Sequence, residues 1–283
     1  MRVVAYGKPR QAEPAAVAEG FRSLGHSVTW RNHGYWDEGD FNADADAVVT
    51  FGQRLWSARI ADAYRAAGVP VLTVDLPPLR TDGFAEYRAL WLDHVNWLPK
   101  HRCPCDRLER LHLDFKPHRE DGRGVLLCGQ CADDAAHGMD ATDLRQWAQA
   151  TAEAIGEFDS VTWRPHPRDQ FSLDGFEASD SSVPFGDVLE QDWRAVATFN
   201  STCGLTALVE GVPVFCDSSC FYGEVANTSL SALGEPHWPL LGDRVEFFCR
   251  VAYSQWKFDE LRSGEAVHFV LNEIARDGGM RWP

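Results

Sequence analysis

The sequence lacks any apolar run that approaches the ~20 residues required by a membrane-spanning helix. It also lacks the pattern of a secretory signal, because the short apolar stretch 2–6 is followed at once by Lys8 and Arg10. Neither a G-x-G-x-x-G fingerprint nor a Walker motif occurs, so ordinary dinucleotide and P-loop binding have no support. A cytoplasmic protein that uses neither motif is expected.

Basic residues are also fewer than acidic residues. The chain has 27 Lys and Arg against 42 Asp and Glu, and its formal net charge is −15 at pH 7. Broad, sequence-independent binding to a polyanion depends on many cationic side chains, so this balance argues against it, although it allows a local basic groove. The D-x-D pattern of Asp44 and Asp46 precedes a predicted strand, and no such motif follows a strand. We therefore predict no obligatory metal, and no cofactor is predicted either.

Eight cysteines are present, and in a cytoplasmic chain they do not predict a disulfide framework. Two close pairs, Cys103 with Cys105 and Cys128 with Cys131, have a spacing that a four-thiolate zinc site could use. Against zinc, Cys128 ends the apolar run 125–128, and C-x-C matches such a site less well than C-x-x-C. Small buried hydrophobic residues are the favoured interpretation.

The remaining composition is that of a globular protein, with 45% hydrophobic and 24% charged residues in a chain of 283. Apolar strands alternate with helical patterns over the first hundred residues, which predicts a parallel sheet covered on both faces. Strands are predicted at 2–6, 27–30, 45–51 and 69–74, with helices at 14–24 and 54–67. The alternation breaks at 77–118, where a helix at 84–93 and a linker are predicted.

The alternation restarts near residue 124 and predicts a second Rossmann-like unit. Strands are predicted at 124–128, 160–164, 195–199 and 212–216, and helices at 143–155, 185–191, 201–210, 244–258 and 264–276. The predicted fold class is therefore α/β with two Rossmann-like domains, residues 1–118 and residues 119–283.

Two polar motifs follow strands of the second half, and ligands of open parallel sheets bind beyond the carboxyl ends of the strands. The first motif is Arg164-Pro165-His166-Pro167. Its prolines fix the backbone around His166, and Arg164 suits bidentate binding of phosphate. The alternative is a proline-stiffened loop whose histidine only caps a helix.

The second motif is Asn200-Ser201-Thr202, between the strand 195–199 and a helix. Asn200 or Ser201 would cap that helix, the hydroxyl groups of Ser201 and Thr202 would add donors, and Gly204 would let a ligand approach the backbone. Ordinary N-capping would also explain the Ser-Thr pair. We expect the two motifs to lie side by side on adjacent strands, which favours a site for a phosphate-bearing ligand.

This pair of motifs is similar to the HP and S-S/T motifs of bacterial GT-B sialyltransferases. The pair resembles more strongly the motifs of the capsule-polysaccharide Kdo-transferase type, which includes phage-encoded relatives. The segment that ends in Gly129 and Gln130 resembles the opening of that family's C-terminal domain, and the resemblance covers roughly residues 124–270. It implies two Rossmann-like domains that face each other across a cleft, with a nucleotide-sugar as co-substrate. The candidate donor-binding residues are Gln130, Arg164, His166, Pro167, Asn200, Ser201, Thr202 and Gly204.

A glycosyltransferase of this type would bind its acceptor in the N-terminal domain and its donor in the C-terminal domain. A carboxylate or histidine of the N-terminal domain would deprotonate the acceptor hydroxyl, and helix dipoles and basic side chains would stabilise the departing phosphate without a metal. Asp37 and His33, in the aromatic loop 32–41, are the candidate catalytic residues. Other acids that follow N-terminal strands are Glu13, Glu38, Asp40 and Asp75.

Several alternatives stay open at this point. The acceptor could be a bacterial surface saccharide or a hydroxymethylated base in phage DNA, and the acidic charge of the chain favours the saccharide. A non-hydrolytic epimerase of the two-Rossmann type would act on the same nucleotide-sugars, with a pair of carboxylates and a histidine. A third interpretation is a protein that binds nucleotide-sugars without catalysis.

Overall fold

A computed structural model describes residues 1–31, 44–52, 55–81, 83–132, 134 and 136–276. The chain divides into two compact units, one formed by Met1–Cys103 with the chain from Arg250 onward, the other by Pro104–Cys249. The predicted boundary after residue 118 thus falls inside the second unit. Of the two predicted C-terminal helices, 264–276 belongs to the first unit, whereas 244–258 is divided between the two units after Cys249.

Strands and helices alternate in both units. The strands are β1 (Arg2–Tyr6), β2 (Ser27–Arg31), β3 (Ala47–Phe51), β4 (Val71–Asp75), β5 (Tyr87–Leu92), β6 (Val125–Cys128), β7 (Val161–Arg164), β8 (Glu177–Ala178), β9 (Ala195–Thr198), β10 (Val214–Phe215) and β11 (Gln255–Lys257). The helices are α1 (Ala12–Ser23), α2 (Leu55–Ala66), α3 (Asp106–Glu109), α4 (Ala141–Gly156), α5 (Phe185–Leu189), α6 (Cys203–Val209), α7 (Leu241–Ala252), α8 (Phe258–Ser263) and α9 (Glu265–Arg276). In the described part of the chain, no helix has the length and apolar character needed to span a membrane.

The first unit contains a six-stranded sheet with the order β11-β5-β4-β3-β1-β2. Its strands β1 to β4 are parallel, and β5 runs antiparallel to β4 and to β11. Successive side chains of a strand point to opposite faces of the sheet. Val3 therefore packs in a core with Phe21 of α1, and Val4 packs in a second core with Tyr64 of α2. Both faces of this sheet are covered, as its apolar strands predict.

Two strands of this sheet show that the predicted helices at 84–93 and 244–258 were wrong in part. Residues 87–92 form β5 between β4 and β11, and all but one of its side chains are buried. A strand buried on both faces has no strict alternation of polar and apolar residues, so its pattern resembles that of a buried helix. The predicted helix at 244–258 ends at Ala252, and residues 255–257 pair with β5 as β11.

The second unit contains a parallel five-stranded sheet with the order β10-β9-β6-β7-β8. From the central β6 the chain builds outward through β7 and β8, then returns to β9 on the other side. The order reverses between β6 and β9, and this switch point is where ligands bind in open α/β sheets. The predicted α/β class with two Rossmann-like domains is confirmed. The expectation that the two motif loops follow adjacent strands was wrong, because β6 separates β7 from β9.

The cysteines also depart from expectation, because Cys105 and Cys249 form a disulfide across a sequence separation of 144 residues. Sequence spacing gives no signal for a pair so far apart, whereas the fold places their Cα atoms 5.0 Å from each other. Cys105 therefore has no thiolate to offer to the zinc site considered above. Among the described residues, no group of three or more His, Cys, Asp and Glu side chains is placed to hold a metal.

Candidate functional site

Three loops leave the carboxyl edge of the second sheet at the same level. In the strand register, Cys128 at the end of β6 pairs with Arg164 at the end of β7 and with Thr198 at the end of β9. The β6 loop therefore lies between the other two and can contact both. These three loops carry the polar residues that the sequence singled out in the second domain.

The β6 and β9 loops are joined across the switch point by two amide side chains. Gln130 Nε2 donates to Asn200 Oδ1 at 2.7 Å, and Asn200 N–H donates to Gln130 Oε1 at 2.9 Å. Asn200 Nδ2 donates in turn to the carbonyl of Ala136 at 2.7 Å. Both side chains are buried. They hold the β9 loop in place, and a direct contact of either with a donor stays a prediction.

Ser201 and Thr202, the hydroxyl-bearing residues of the β9 loop, directly follow Asn200 in the chain and are half-buried. Helix α6 starts at Cys203, so its N-cap is Thr202 and not Asn200 or Ser201 as predicted. The Thr202 hydroxyl makes no capping hydrogen bond within the described chain, whereas Ser201 Oγ accepts weakly from Cys203 N–H at 3.4 Å. Ordinary N-capping therefore does not account for Thr202.

His166, on the other side of the β6 loop, has a fixed ring orientation. Arg168 N–H donates to Nδ1 at 3.2 Å, and Cys131 Sγ lies 3.0 Å from the same nitrogen. Burial raises the pKa of the Cys131 thiol, so the thiol is protonated near neutral pH and can also donate to Nδ1. With Nδ1 as the acceptor, the neutral imidazole carries its hydrogen on Nε2. Pro167, next in the chain, is exposed.

Arg164 has a different role from the one its position suggests. Its Nη1 donates to the Asp180 carbonyl at 2.9 Å and its Nη2 donates to the Val183 carbonyl at 2.6 Å. The guanidinium lies 5.8 Å from the centre of the Phe185 ring, and the residue is 7% exposed. Arg164 thus anchors the segment 180–183, and its contact with phosphate stays a prediction. The exposed Arg168 is the cation beside Cys131 in this group.

Gly204 is explained by a neighbour that the sequence did not identify. A Cβ atom added at Gly204 would lie 2.4 Å from the hydroxyl oxygen of Tyr222, so the space above this glycine is filled by a side chain. The Tyr222 hydroxyl donates to the Ser201 carbonyl at 2.7 Å. Close approach of a ligand to Gly204 was the predicted reason for a glycine here, and the packing of Tyr222 supplies another.

The predicted catalytic residues Asp37 and His33 lie outside the described residues, as do Glu38 and Asp40. Of the other N-terminal acids, Glu13 on α1 forms an ion pair with Arg88 at 3.1 Å. Asp75 ends β4, and its carboxylate accepts from Leu76 N–H at 2.7 Å. The structure therefore brings together the donor-binding candidates of the second unit, whereas the catalytic base stays a prediction from the sequence.

Sequence reasoning missed Cys131 and Tyr222 at this site. Cys131 follows Gln130 directly, so the convergence of the β6 and β7 loops could have suggested its contact with His166. Tyr222 lies in the connection after β10, and no local pattern marks it. Only the three-dimensional packing of that connection against the β9 loop shows what it does.

No protein-family model matches this chain, and no curated protein matches it either. Among solved structures, it is similar to Thermosulfurimonas dismutans KpsC, beta Kdo 2,4 transferase, with a TM-score of 0.57 and 17% identity over 91% of this chain and 92% of that one. It is also similar to Thermosulfurimonas dismutans KpsC, beta Kdo 2,7 transferase, with a TM-score of 0.57 and 14% identity over 95% of this chain and 100% of that one. At such identities the similarity establishes a shared fold that includes both Rossmann-like units.

Proposed function

We propose that this protein is a glycosyltransferase that moves a sugar from a nucleotide-sugar to an acceptor hydroxyl. The observation that carries the proposal is that His166 and the pair Ser201 and Thr202 lie on loops that leave the same edge of the second sheet, on either side of the β6 loop. The resemblance of the HP and S-T motifs points to the same chemistry. The fold shared with two Kdo transferases is compatible with it.

The donor phosphate is proposed to bind between the β7 and β9 loops. His166 would donate through Nε2–H, and the hydroxyl groups of Ser201 and Thr202 would donate from the opposite side. Hydrogen bonds to a charged phosphate strengthen as the sugar departs and negative charge builds up, so these donors would favour the transition state. The exposed Arg168, which lies beside Cys131, would add a positive charge to this stabilisation. Gln130 and Asn200 would hold the β9 loop during the reaction.

The acceptor is proposed to be a saccharide hydroxyl, deprotonated by Asp37 or His33 without an obligatory metal. The net charge of −15 disfavours a polyanionic acceptor, which makes a hydroxymethylated base in DNA the less favoured substrate. Transfer assays with oligosaccharides and with hydroxymethylcytosine-containing DNA, each in the presence of EDTA, would decide between the two acceptors. Loss of transfer in EDTA would contradict metal independence, and full activity of both Asp37→Asn and His33→Gln would contradict their role as the base.

The first experiment is a thermal-shift series with CMP-, UDP- and GDP-sugars. At least one should raise the melting temperature, since a ligand that binds only the native state stabilises it. His166→Ala and Ser201→Ala should each weaken binding of that nucleotide-sugar by roughly ten- to a hundredfold, the cost of one hydrogen bond to a charged group. His268→Ala, at an exposed position of α9 in the first unit, is the matched control. Absence of a shift with every nucleotide-sugar would refute the proposed function.

A further inference from the structure

We propose that Tyr222 is a positioning residue that sets the orientation of the Ser201 and Thr202 hydroxyl groups toward the donor phosphate. This inference rests on the proposed function and concerns the same site. It assigns part of the phosphate affinity to a side chain that lies behind the β9 loop and does not touch the ligand.

The hydrogen bond of Tyr222 is the first observation. The side chain is fully buried, and its hydroxyl donates to the Ser201 carbonyl at 2.7 Å. The same carbonyl accepts from Gly204 N–H at 3.0 Å, so both of its lone pairs are used. Burial raises the pKa of Tyr222 well above its usual value, so the hydroxyl keeps its proton and stays a donor.

The packing around Tyr222 leaves it one position. The ideal Cβ position of Gly204 lies 2.4 Å from the Tyr222 hydroxyl oxygen and 2.7 Å from Cζ, so the ring rests directly on this glycine. Phe221 meets the ring edge-on, with 5.1 Å between the ring centroids. Phe221 is in turn 6.4 Å from the ring of Phe247 on α7. This aromatic cluster, in which Tyr222 and Phe247 are buried and Phe221 is half-buried, therefore restricts where the hydroxyl of Tyr222 lies.

The planarity of the peptide bond transmits this constraint to the loop. Because the Ser201 carbonyl and the Thr202 N–H belong to one rigid plane, fixing the carbonyl inward fixes the rotation of the whole unit. The Cα atoms of Ser201 and Thr202 lie at the two ends of that plane, so its orientation limits the directions in which both side chains can leave the backbone. On the other side, the Gln130–Asn200 pair holds the preceding residue. Donors need placement within about 0.5 Å to act on a phosphate, and this two-sided support would supply it.

Tyr222→Phe tests the inference because it removes the hydroxyl and keeps the ring. The matched control is Tyr64→Phe, since Tyr64 is also fully buried and its hydroxyl lies 2.9 Å from that of Tyr6 in the first unit. Each protein is titrated with a nucleoside and its phosphorylated form, cytidine and CMP, uridine and UDP, or guanosine and GDP. The pair is chosen by the strongest nucleotide binding to the wild type. The measured quantity is the dissociation constant of the nucleoside divided by that of its phosphorylated form. This ratio isolates the contribution of the phosphate to binding.

We expect Tyr222→Phe to lower this ratio about three- to tenfold, the value of one hydrogen bond. Tyr64→Phe should lose thermal stability and keep the wild-type ratio. An unchanged ratio in Tyr222→Phe, or an equal loss of nucleoside and nucleotide affinity, would show a purely structural role and overturn the inference.

A second variant covers the case in which Tyr222→Phe does not fold. Gly204→Ala keeps the hydroxyl and displaces it, since the added methyl group meets it at 2.4 Å. The same fall in the ratio is expected, and an unchanged ratio would again overturn the inference. A wild type that binds none of the three nucleotides would refute the proposed function itself, which is a separate result from a wild type that binds and a Tyr222→Phe variant that binds equally well.

Discussion

The Cys105–Cys249 disulfide closes almost the whole second unit into one covalent loop, since that unit runs from Pro104 to Cys249. A crosslink of this kind stabilises a fold mainly by restricting the unfolded chain. For a sequence separation of 144 residues, the loop-closure expression gives about 5 kcal/mol at 25 °C. Domains as a whole are stable by about 5–15 kcal/mol, so reduction is expected to remove a large part of the free energy of unfolding of this unit.

Urea unfolding with and without dithiothreitol measures this effect. The reduced protein should unfold at a clearly lower urea concentration, and the double variant Cys105→Ser, Cys249→Ser should match it. Reductant should have no further effect on that variant, because the remaining cysteines of the described chain are thiols. Hydrogen exchange in β6 and β9 should rise on reduction more than exchange in β1 and β3.

Two results would refute this reasoning. Thiol titration that finds eight reactive groups in the denatured, unreduced protein would show that the disulfide does not form. Identical unfolding curves with and without reductant would show that it forms but does not limit the unfolded chain of this unit.

Three further predictions rest on side-chain contacts within the two units. Gln130→Ala should lower the free energy of unfolding by about 2 kcal/mol, because it leaves two buried polar groups of Asn200 without partners; urea denaturation measures the loss, and an unchanged midpoint would contradict it. Arg164→Ala should cost about 3 kcal/mol and increase proteolysis within 180–183, since two charge-assisted hydrogen bonds are lost. The hydrogen bond from the backbone N–H of Arg2 lowers the pKa of the Asp46 carboxyl group in the folded protein. The stability that this carboxylate contributes is therefore complete above its pKa in the unfolded chain, and it is lost as the pH falls through the lower pKa of the folded state. Asp46→Asn should remove that part of the acid dependence of the melting temperature in thermal melts.

The secondary structure was predictable wherever one period dominated the sequence. Helix α4 has buried Leu144, Ala148, Ala152 and Ile155 at helical spacing, and its sequence predicts it well. The prediction was wrong at strand β5, because both faces of this strand are buried and Tyr87–Leu92 has no alternation of polar and apolar residues. The prediction also missed strand β11, because this strand is three residues long and is defined only by its pairing with β5.

The position of the candidate residues was predictable, whereas the contacts of each side chain were less so. The rule that ligands bind beyond strand ends predicted that His166, Ser201 and Thr202 lie at one edge of the second sheet, and the loops that carry them do leave that edge. Ligand binding there stays a prediction. Which polar side chains are used up by the protein depends on distant segments. Arg164 bonds to carbonyls that follow it by 16 and 19 residues, and Gln130 bonds to Asn200 across 70 residues. The disulfide has the same origin, since no local pattern joins Cys105 to Cys249.

The polar residues of this edge therefore fall into two groups with different expected behaviour. Gln130, Asn200 and Arg164 are buried and bond to the protein, so their substitution should lower stability first and affinity only as a consequence. His166 and Thr202 are half-buried at the surface of the site, so their substitution should lower affinity with little loss of stability. Because unfolding and nucleotide binding are measured separately, the division can be checked residue by residue. A substitution that lowered stability and nucleotide affinity independently would place its residue in neither group. Such a result would require a site built differently from the one proposed.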